Sequence, residues 1–187
     1  MREGGPAVEL EDYCHAVEHS LEFQCLFLQH VLGGRPQIVP ILCGPFSRAL
    51  REGRAPEDDE GVEQFFDALR ELAERAGDRI VWILGVDLAH VGRRYGDPLP
   101  AHAEEGTLLD VRHEDLARLA LLNRGEADAF LELAVSDGDR LRWCGLSPLY
   151  TFARVAPEAR GRVLRYEQWN IDPQSVVSFA GIEYRKG

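Results

Sequence analysis

An aspartate and a histidine, Asp87 and His90, follow the apolar segment RIVWILG at residues 79–85. A histidine titrates near neutral pH, and a carboxylate beside it can fix its tautomer or raise its basicity. The D-x-x-H spacing therefore makes His90 a candidate catalytic base with Asp87 as its neighbour. The alternative interpretation is structural: the histidine caps the next turn, and Asp87 accepts hydrogen bonds from loop amides.

A cysteine, Cys144, stands in the segment RWCGLSPLY, three residues before Ser147. Ser147 and Pro148 are typical of a helix start, as the N-cap and the first helical residue. The positive potential at a helix start favours the thiolate, the form that binds metal or attacks electrophiles. Gly145 would let the backbone approach a ligand closely. The alternative is a buried cysteine with only a structural role.

Two histidines four residues apart, His15 and His19, occur in the segment CHAVEHSLE. Such a pair can share one face of a helix and bind a metal ion, and Glu18 adds a carboxylate. The alternative is the polar first turn of a helix, which Ser20 and Glu22 help to cap. We favour the capping role for Ser20 and Glu22, and we predict that Glu18 and His19 line a cleft.

Helices must position these segments, and the spacing of apolar residues predicts five of them. Apolar side chains recur at intervals of three and four residues in these segments, and glycines follow two of the predicted helices. The predicted helices span residues 18–32, 61–76, 113–123, 126–135 and 147–156.

Apolar runs predict the strands of the sheet. The run at 79–87 is the candidate central strand, because strands covered on both faces read as continuous apolar segments. Alternating helices and strands indicate an α/β fold with a mainly parallel or mixed sheet and helices on both faces. Ligands collect at the carboxyl ends of parallel strands, which is where Asp87 and His90 stand. The predicted strands are 37–44, 79–87, 162–169 and 175–184.

Composition narrows the class of protein. The chain has 187 residues and a formal net charge of −11, which argues against nucleic acid or an anionic membrane surface as its partner. No apolar run is long enough to span a bilayer, and the N-terminal residues do not resemble a signal peptide, so we expect a cytoplasmic protein. Four cysteines stand far apart and are expected to be reduced thiols.

Taken together in this order, the segments resemble the Memo family. The resemblance implies an α/β fold similar to that of class III extradiol dioxygenases, the non-haem iron enzymes that open catechol rings. It spans nearly all of the chain, which we expect to form one Memo-like domain over residues 1–187. The matching segments are AVEHSLEFQCLFLQ (16–29), IVPILCG (38–44), GVDLAHVGRRYG (85–96), CGLSPLYTFARV (144–155) and SVVSFAGI (175–182).

The resemblance also implies site residues. Cys144 would be a metal ligand in the position that a carboxylate occupies in the dioxygenases, His90 would match their proton-handling histidine, and Asp87 would be its neighbour. The metal would be Fe(II) or copper, since a thiolate favours softer metals without excluding iron. The family's two metal-binding histidines lie upstream of the EHSLE motif. We therefore expect this chain to match the C-terminal two thirds of the family domain and to hold an incomplete site.

Three functions follow from these residues. The first is metal-dependent redox or dioxygenase chemistry, and the second is non-catalytic binding of a small molecule or peptide in the same cleft. The third is a thiol-dependent hydrolase that uses Cys144 and His90. An N-terminally shortened sheet would also leave an exposed edge, which a second copy or a partner chain could cover.

Overall fold

The computed structural model describes residues 5–10, 12–136 and 138–187. The chain forms two compact units, Met1–Gly85 and Val86–Gly187, and each is described here by itself. That the chain is a single Memo-like domain stays a prediction. Within the described part of the chain, no helix is both long and apolar enough to cross a bilayer.

The first unit is helical in its described part. The predicted helix at 18–32 is confirmed as α2, and it ends where Gly33 adopts a left-handed φ of 63° and its N–H donates to the Gln29 carbonyl. The predicted helix at 61–76 is confirmed as α4, which begins after Asp59 accepts a hydrogen bond from the Gly61 N–H. The helices of this unit are α1 (Tyr13–Val17), α2 (His19–Leu32), α3 (Ser47–Arg51) and α4 (Glu60–Ala76), with short 3-10 turns at Gly5–Ala7, Pro56–Asp58 and Gly77–Arg79.

The strands predicted at 37–44 and 79–87 are wrong. Neither segment forms a ladder, and strand structure starts only at His90. An apolar run indicates burial, but a strand also needs a neighbouring backbone to pair with. Burial is incomplete as well, because Val81 is 79% exposed and Ile83 is 46% exposed.

The second unit contains a three-stranded antiparallel sheet. Its strands are β1 (His90–Gly92), β2 (Ala159–Asp172) and β3 (Ser175–Lys186), in the order β1-β3-β2. The two closing strands predicted from the sequence are confirmed and are longer than expected. A mixed α/β composition is confirmed too, but the predicted parallel or mixed sheet is wrong for the described residues, since both pairings are antiparallel. The turn between β2 and β3 has two residues, and so short a connection can only join antiparallel strands.

Three helices complete this unit: α5 (Thr107–Asn123), α6 (Ala127–Val135) and α7 (Leu146–Val155). All three were predicted, although α5 starts six residues before the expected position. The predicted N-cap role of Ser147 is wrong. Gly145 is the N-cap of α7 and makes no side-chain cap, whereas Ser147 is buried inside the helix.

The helices α5 and α7 contact one face of the sheet. Ser178 and Tyr184 are an even number of positions apart on β3, so their side chains lie on the same face of the sheet. The Ser178 hydroxyl donates to Asp115 of α5, and the Tyr184 ring packs on Phe152 of α7. Trp169, on the opposite face, is 61% exposed. That helices cover both faces of the sheet stays a prediction. The likeness to extradiol dioxygenases stays a prediction.

Candidate metal centre

His90 is the first residue of β1, and its ring is held by backbone atoms. Its main-chain N–H donates to the Leu141 carbonyl (2.8 Å), and its Nδ1 lies 3.0 Å from the Leu88 carbonyl oxygen and 3.1 Å from that of Arg142. Carbonyl oxygens only accept hydrogen bonds, so Nδ1 carries the hydrogen and Nε2 keeps its lone pair. The sequence suggested that Asp87 orients this ring; in the structure the two carbonyls do so. Nε2 is therefore available to bind a metal or accept a proton.

Cys144 reaches the same place from the loop before α7. Its thiol donates to the carbonyl oxygen of Asp87 (Sγ to O, 3.4 Å), and the next N–H, of Gly145, donates to that oxygen as well (3.2 Å). A Cβ at position 145 would lie 2.9 Å from the Asp87 oxygen and 3.0 Å from Val86 side-chain atoms. Glycine is needed at position 145 because the two backbones approach so closely.

The side chains of Asp87, His90 and Cys144 form one group, here called the triad. Their carboxylate, imidazole and thiol ligand atoms all lie within 4.8 Å of one another. Cys144 is exposed, His90 is half-buried, and none of the three is fully buried. The structure thus brings together the three residues that the sequence marked in two segments more than fifty positions apart.

Arg142 links the strand that begins at His90 to the loop that follows it. Arg142, in a left-handed conformation (φ 51°), donates to the His90 carbonyl (3.0 Å) and to Asp97 Oδ1 (2.6 Å). The other oxygen of Asp97 accepts from the Gly92 N–H (2.8 Å). Burial by itself would raise the pKa of Asp97, but the hydrogen bonds from Arg142 and Gly92 hold that pKa below its ordinary value.

We expect Asp97→Asn to lower the free energy of unfolding by about 1.5 to 3 kcal/mol at pH 7, the range for hydrogen bonds to charged groups. Because the folded-state pKa of Asp97 is depressed, its contribution is present above the unfolded pKa of about 3.9 and is lost as the pH falls through the folded value. Urea unfolding of both proteins at a series of pH values checks this. A difference in stability that stays constant from pH 7 to pH 3 would contradict the ion-pair explanation.

A buried carboxylate, Asp115, connects the two loops of the triad. Its oxygens accept hydrogen bonds from Trp143 Nε1 (2.7 Å), Tyr166 OH (2.7 Å) and Ser178 Oγ (2.5 Å). Ser178 Oγ in turn accepts from the Ala89 N–H (2.8 Å). Trp143 precedes Cys144 and Ala89 precedes His90, so this one side chain anchors the neighbours of both.

Asp115 is completely buried, and burial raises the pKa of its carboxyl while the three donors and the Arg118 charge act in the opposite direction. Asp115 was not among the candidates predicted from the sequence. The available signal was its position in α5, four residues after Val111 and four before Leu119, where a helix turns an apolar face to the core.

Tyr95 packs against the His90 ring. The two rings meet edge to face with 5.0 Å between their centroids. Burial raises the pKa of the Tyr95 phenol; the charge of Arg94 opposes that increase, and the charges of Asp87 and Asp172 add to it. The phenol therefore lies within electrostatic reach of both the triad and the turn between β2 and β3.

Glu18 and His19 belong to the first unit. Glu18 is the N-cap of α2; its carboxylate accepts from the Ser20 N–H (2.9 Å) and lies 3.2 Å from His19 Nδ1. The hydrogen bonds from Ser20 lower the pKa of Glu18. A capped first turn was predicted at this place, and the structure has one. The capping side chain is that of Glu18, and not that of Ser20 or Glu22. That Glu18 and His19 line a cleft stays a prediction.

The family model described as Memo-like protein matches residues 2–183, nearly the whole chain. The chain belongs to the Memo family. The chain is 26% identical to a MEMO1 family protein of Aquifex aeolicus over 171 residues, which cover 89% of this chain and 40% of that protein. It is 24% identical to one of Thermococcus kodakarensis over 192 residues, which cover 95% of this chain and 60% of that protein.

The resemblance inferred from EHSLE, D-x-x-H and CG-x-x-P is thereby confirmed at the level of the family. The predicted match to only the C-terminal two thirds of the family domain is not confirmed, because the family model matches nearly the whole chain. The chain spans 40% and 60% of the length of these two Memo relatives. A shorter match, 34% identical over 101 residues, joins half of the chain to a MEMO1 family protein of Pyrococcus furiosus.

Proposed function

We propose that this Memo-family chain binds a redox-active metal ion, Fe(II) or copper, at the triad of Asp87, His90 and Cys144, and that the bound ion serves oxidation chemistry. The observation that carries the proposal is the convergence of three ligand atoms of different type within 4.8 Å. Bonds of about 2.0 to 2.3 Å to one ion separate neighbouring ligands by roughly 3.5 Å, so small side-chain rotations complete the site.

The residues present fit a metal ion in two further respects. His90 Nδ1 donates to carbonyl oxygens, the arrangement that directs the lone pair of Nε2 at a metal. Three protein ligands leave a coordination position open, which is typical of sites where a substrate or water also binds. A thiolate with an imidazole and a carboxylate suits Fe(II) or copper, and a bound ion of either kind would supply one-electron chemistry toward oxygen.

The side chains of the triad have distinct roles in this proposal. Cys144 gives up its thiol proton when it becomes a ligand, so binding should release a proton and weaken at low pH. His90 cannot both bind a metal and abstract a proton through Nε2. The proposed ligand role therefore replaces the base role that the family resemblance implies, and Asp87 supplies the third ligand.

The test is anaerobic loading of the purified chain with Fe(II) or Cu(I), followed by desalting, metal analysis and then oxygen uptake. We expect about one ion to be retained per chain and oxygen to be consumed only by the loaded protein. A chain that retains no metal would refute the proposal. Retention without oxygen uptake would favour the alternative, a non-catalytic protein that uses the same cleft for binding.

A further inference from the structure

A groove lies at the turn between β2 and β3, next to the residues that follow β1. It has a volume of about 530 Å³ and is lined by Arg93, Arg94, Asp172, Pro173, Gln174 and Ser175. Its walls are tied together, because the Arg93 N–H donates to the Gln174 carbonyl (3.2 Å) and the Arg94 N–H to Ser175 Oγ (3.0 Å). Gly92 permits this approach, since a Cβ there would lie 2.3 Å from the Gln174 oxygen. The turn that carries both arginines is thus fixed in place.

The two guanidinium groups are exposed and form no ion pair with any residue in the described ranges. The nearest acidic residue along the chain, Asp97, is already bound to Arg142 and to the Gly92 N–H. Asp172 on the groove wall uses Oδ1 to accept from the Gln174 N–H (2.8 Å). Two arginines and one aspartate leave the groove with a charge of +1, in a chain whose formal net charge is −11.

Tyr95 lies close to groove residues and to the triad. Arg94 is followed by Tyr95, whose ring meets that of His90 edge to face. A molecule held by the arginines at one end would therefore extend along Tyr95 toward His90.

We propose that the groove binds the carboxylate of a small organic acid and directs the rest of that molecule past Tyr95 toward the triad. Guanidinium groups bind carboxylates through paired, charge-assisted hydrogen bonds. A monoanion neutralises the groove charge of +1, whereas a doubly charged phosphate costs more to desolvate and would leave a net negative charge. Binding of the anion depends on the groove alone, whereas its use in orienting a substrate rests on the function proposed above.

The first experiment uses the metal-free chain, so its result is independent of the triad. Sodium benzoate or inorganic phosphate is added at constant ionic strength, and the backbone amide signals of Arg94, Gln174 and Ser175 are followed by ¹⁵N NMR. We expect benzoate to shift these signals and to bind more tightly than phosphate. Tighter binding of phosphate, or shifts spread evenly over the chain, would overturn the carboxylate assignment.

A matched pair of double variants tests the arginines. Arg93→Gln with Arg94→Gln should weaken benzoate binding about tenfold or more, because both charge-assisted contacts are lost. Arg162→Gln with Arg185→Gln changes the net charge equally but removes arginines that pair with Glu183 at the far end of the hairpin. This control should bind benzoate within about twofold of the wild type. Equal weakening of benzoate binding in the two double variants would show a general charge effect and overturn the proposal that the groove binds the carboxylate.

The positioning role is tested separately in the chain loaded with Co(II), whose visible spectrum reports its ligands and their surroundings. Benzoate bound in the groove should shift the cobalt bands of the wild type and leave those of the Arg93 and Arg94 double variant unchanged. An unshifted wild-type spectrum under saturating benzoate would overturn the positioning role. Failure of the chain to bind cobalt would argue against an iron site at the triad and would overturn the positioning role, while leaving the NMR result on the groove intact.

Discussion

Cys144→Ser is expected to lower the affinity of the chain for copper(I) by about 100-fold or more. Removal of groups that merely support a ligand costs about 10- to 100-fold, so loss of a ligand itself should reach at least the upper end of that range. Serine keeps the size of the side chain but provides no thiolate at neutral pH, and copper(I) prefers sulfur. Competition against a chromophoric copper(I) chelator measures the affinity. With Co(II), the variant should also lose the near-ultraviolet absorption of a thiolate–metal bond.

The matched control is Cys25→Ser, which makes the same atomic change in α2, outside the triad. Its affinity should equal that of the wild type. His90→Ala should behave like Cys144→Ser, because Nε2 is the nitrogen left open by the hydrogen bonds of Nδ1. Copper binding that survives in both Cys144→Ser and His90→Ala would show that the triad is not the site.

Asp115→Ala is expected to cost about 3 kcal/mol or more in the free energy of unfolding, because three donors lose their acceptor at about 1 to 3 kcal/mol each. The change leaves three donors without their acceptor and removes a negative charge close to Arg118, which is 2% exposed. Denaturant unfolding followed by circular dichroism measures the loss. A cost below about 1 kcal/mol would contradict the anchoring role, because a buried unsatisfied donor alone costs more than that.

A pair of milder variants separates positioning of the triad from stability alone. Ser178→Ala and Tyr166→Phe each remove one hydroxyl that donates to Asp115 Oδ2, so their stabilities should fall by comparable amounts. Only Ser178 also accepts from the Ala89 N–H, beside His90. We therefore expect Ser178→Ala to weaken metal binding about tenfold and Tyr166→Phe to leave it unchanged. Equal metal affinities in the two variants would show that the network stabilises the fold without positioning the triad.

The sequence predicted the helices well because each one leaves a local signal. Apolar spacing over one helical turn and a glycine at the end of α2 depend on residues that are close together along the chain. The start of α7 was displaced, since Ser147 and Pro148 have the residue types of a helix start but lie inside the helix. The packing of Gly145 against the Asp87 backbone, and not the local preference of Ser147 and Pro148, decides where this helix starts.

The strands were predicted less well because pairing is a property of two segments. Residues 79–87 have the composition of a central strand, yet only Leu88 and Ala89 next to them bond to β3, through the backbone of Ser178. Nothing in the apolar run itself specifies whether a partner strand lies beside it or in which direction that partner runs.

The sequence by itself carried the resemblance to the Memo family and predicted the helical segments, the two closing strands and the three side chains of the triad as candidates. The tertiary structure decided that these three side chains share one place, that backbone carbonyls set the tautomer of His90, and that Asp115 ties the two loops together. The physical reason is the separation along the chain. Asp87 and Cys144 meet only because Gly145 lets two distant backbones touch, and a buried carboxylate gains its partners only when α5, β2 and β3 have packed around it.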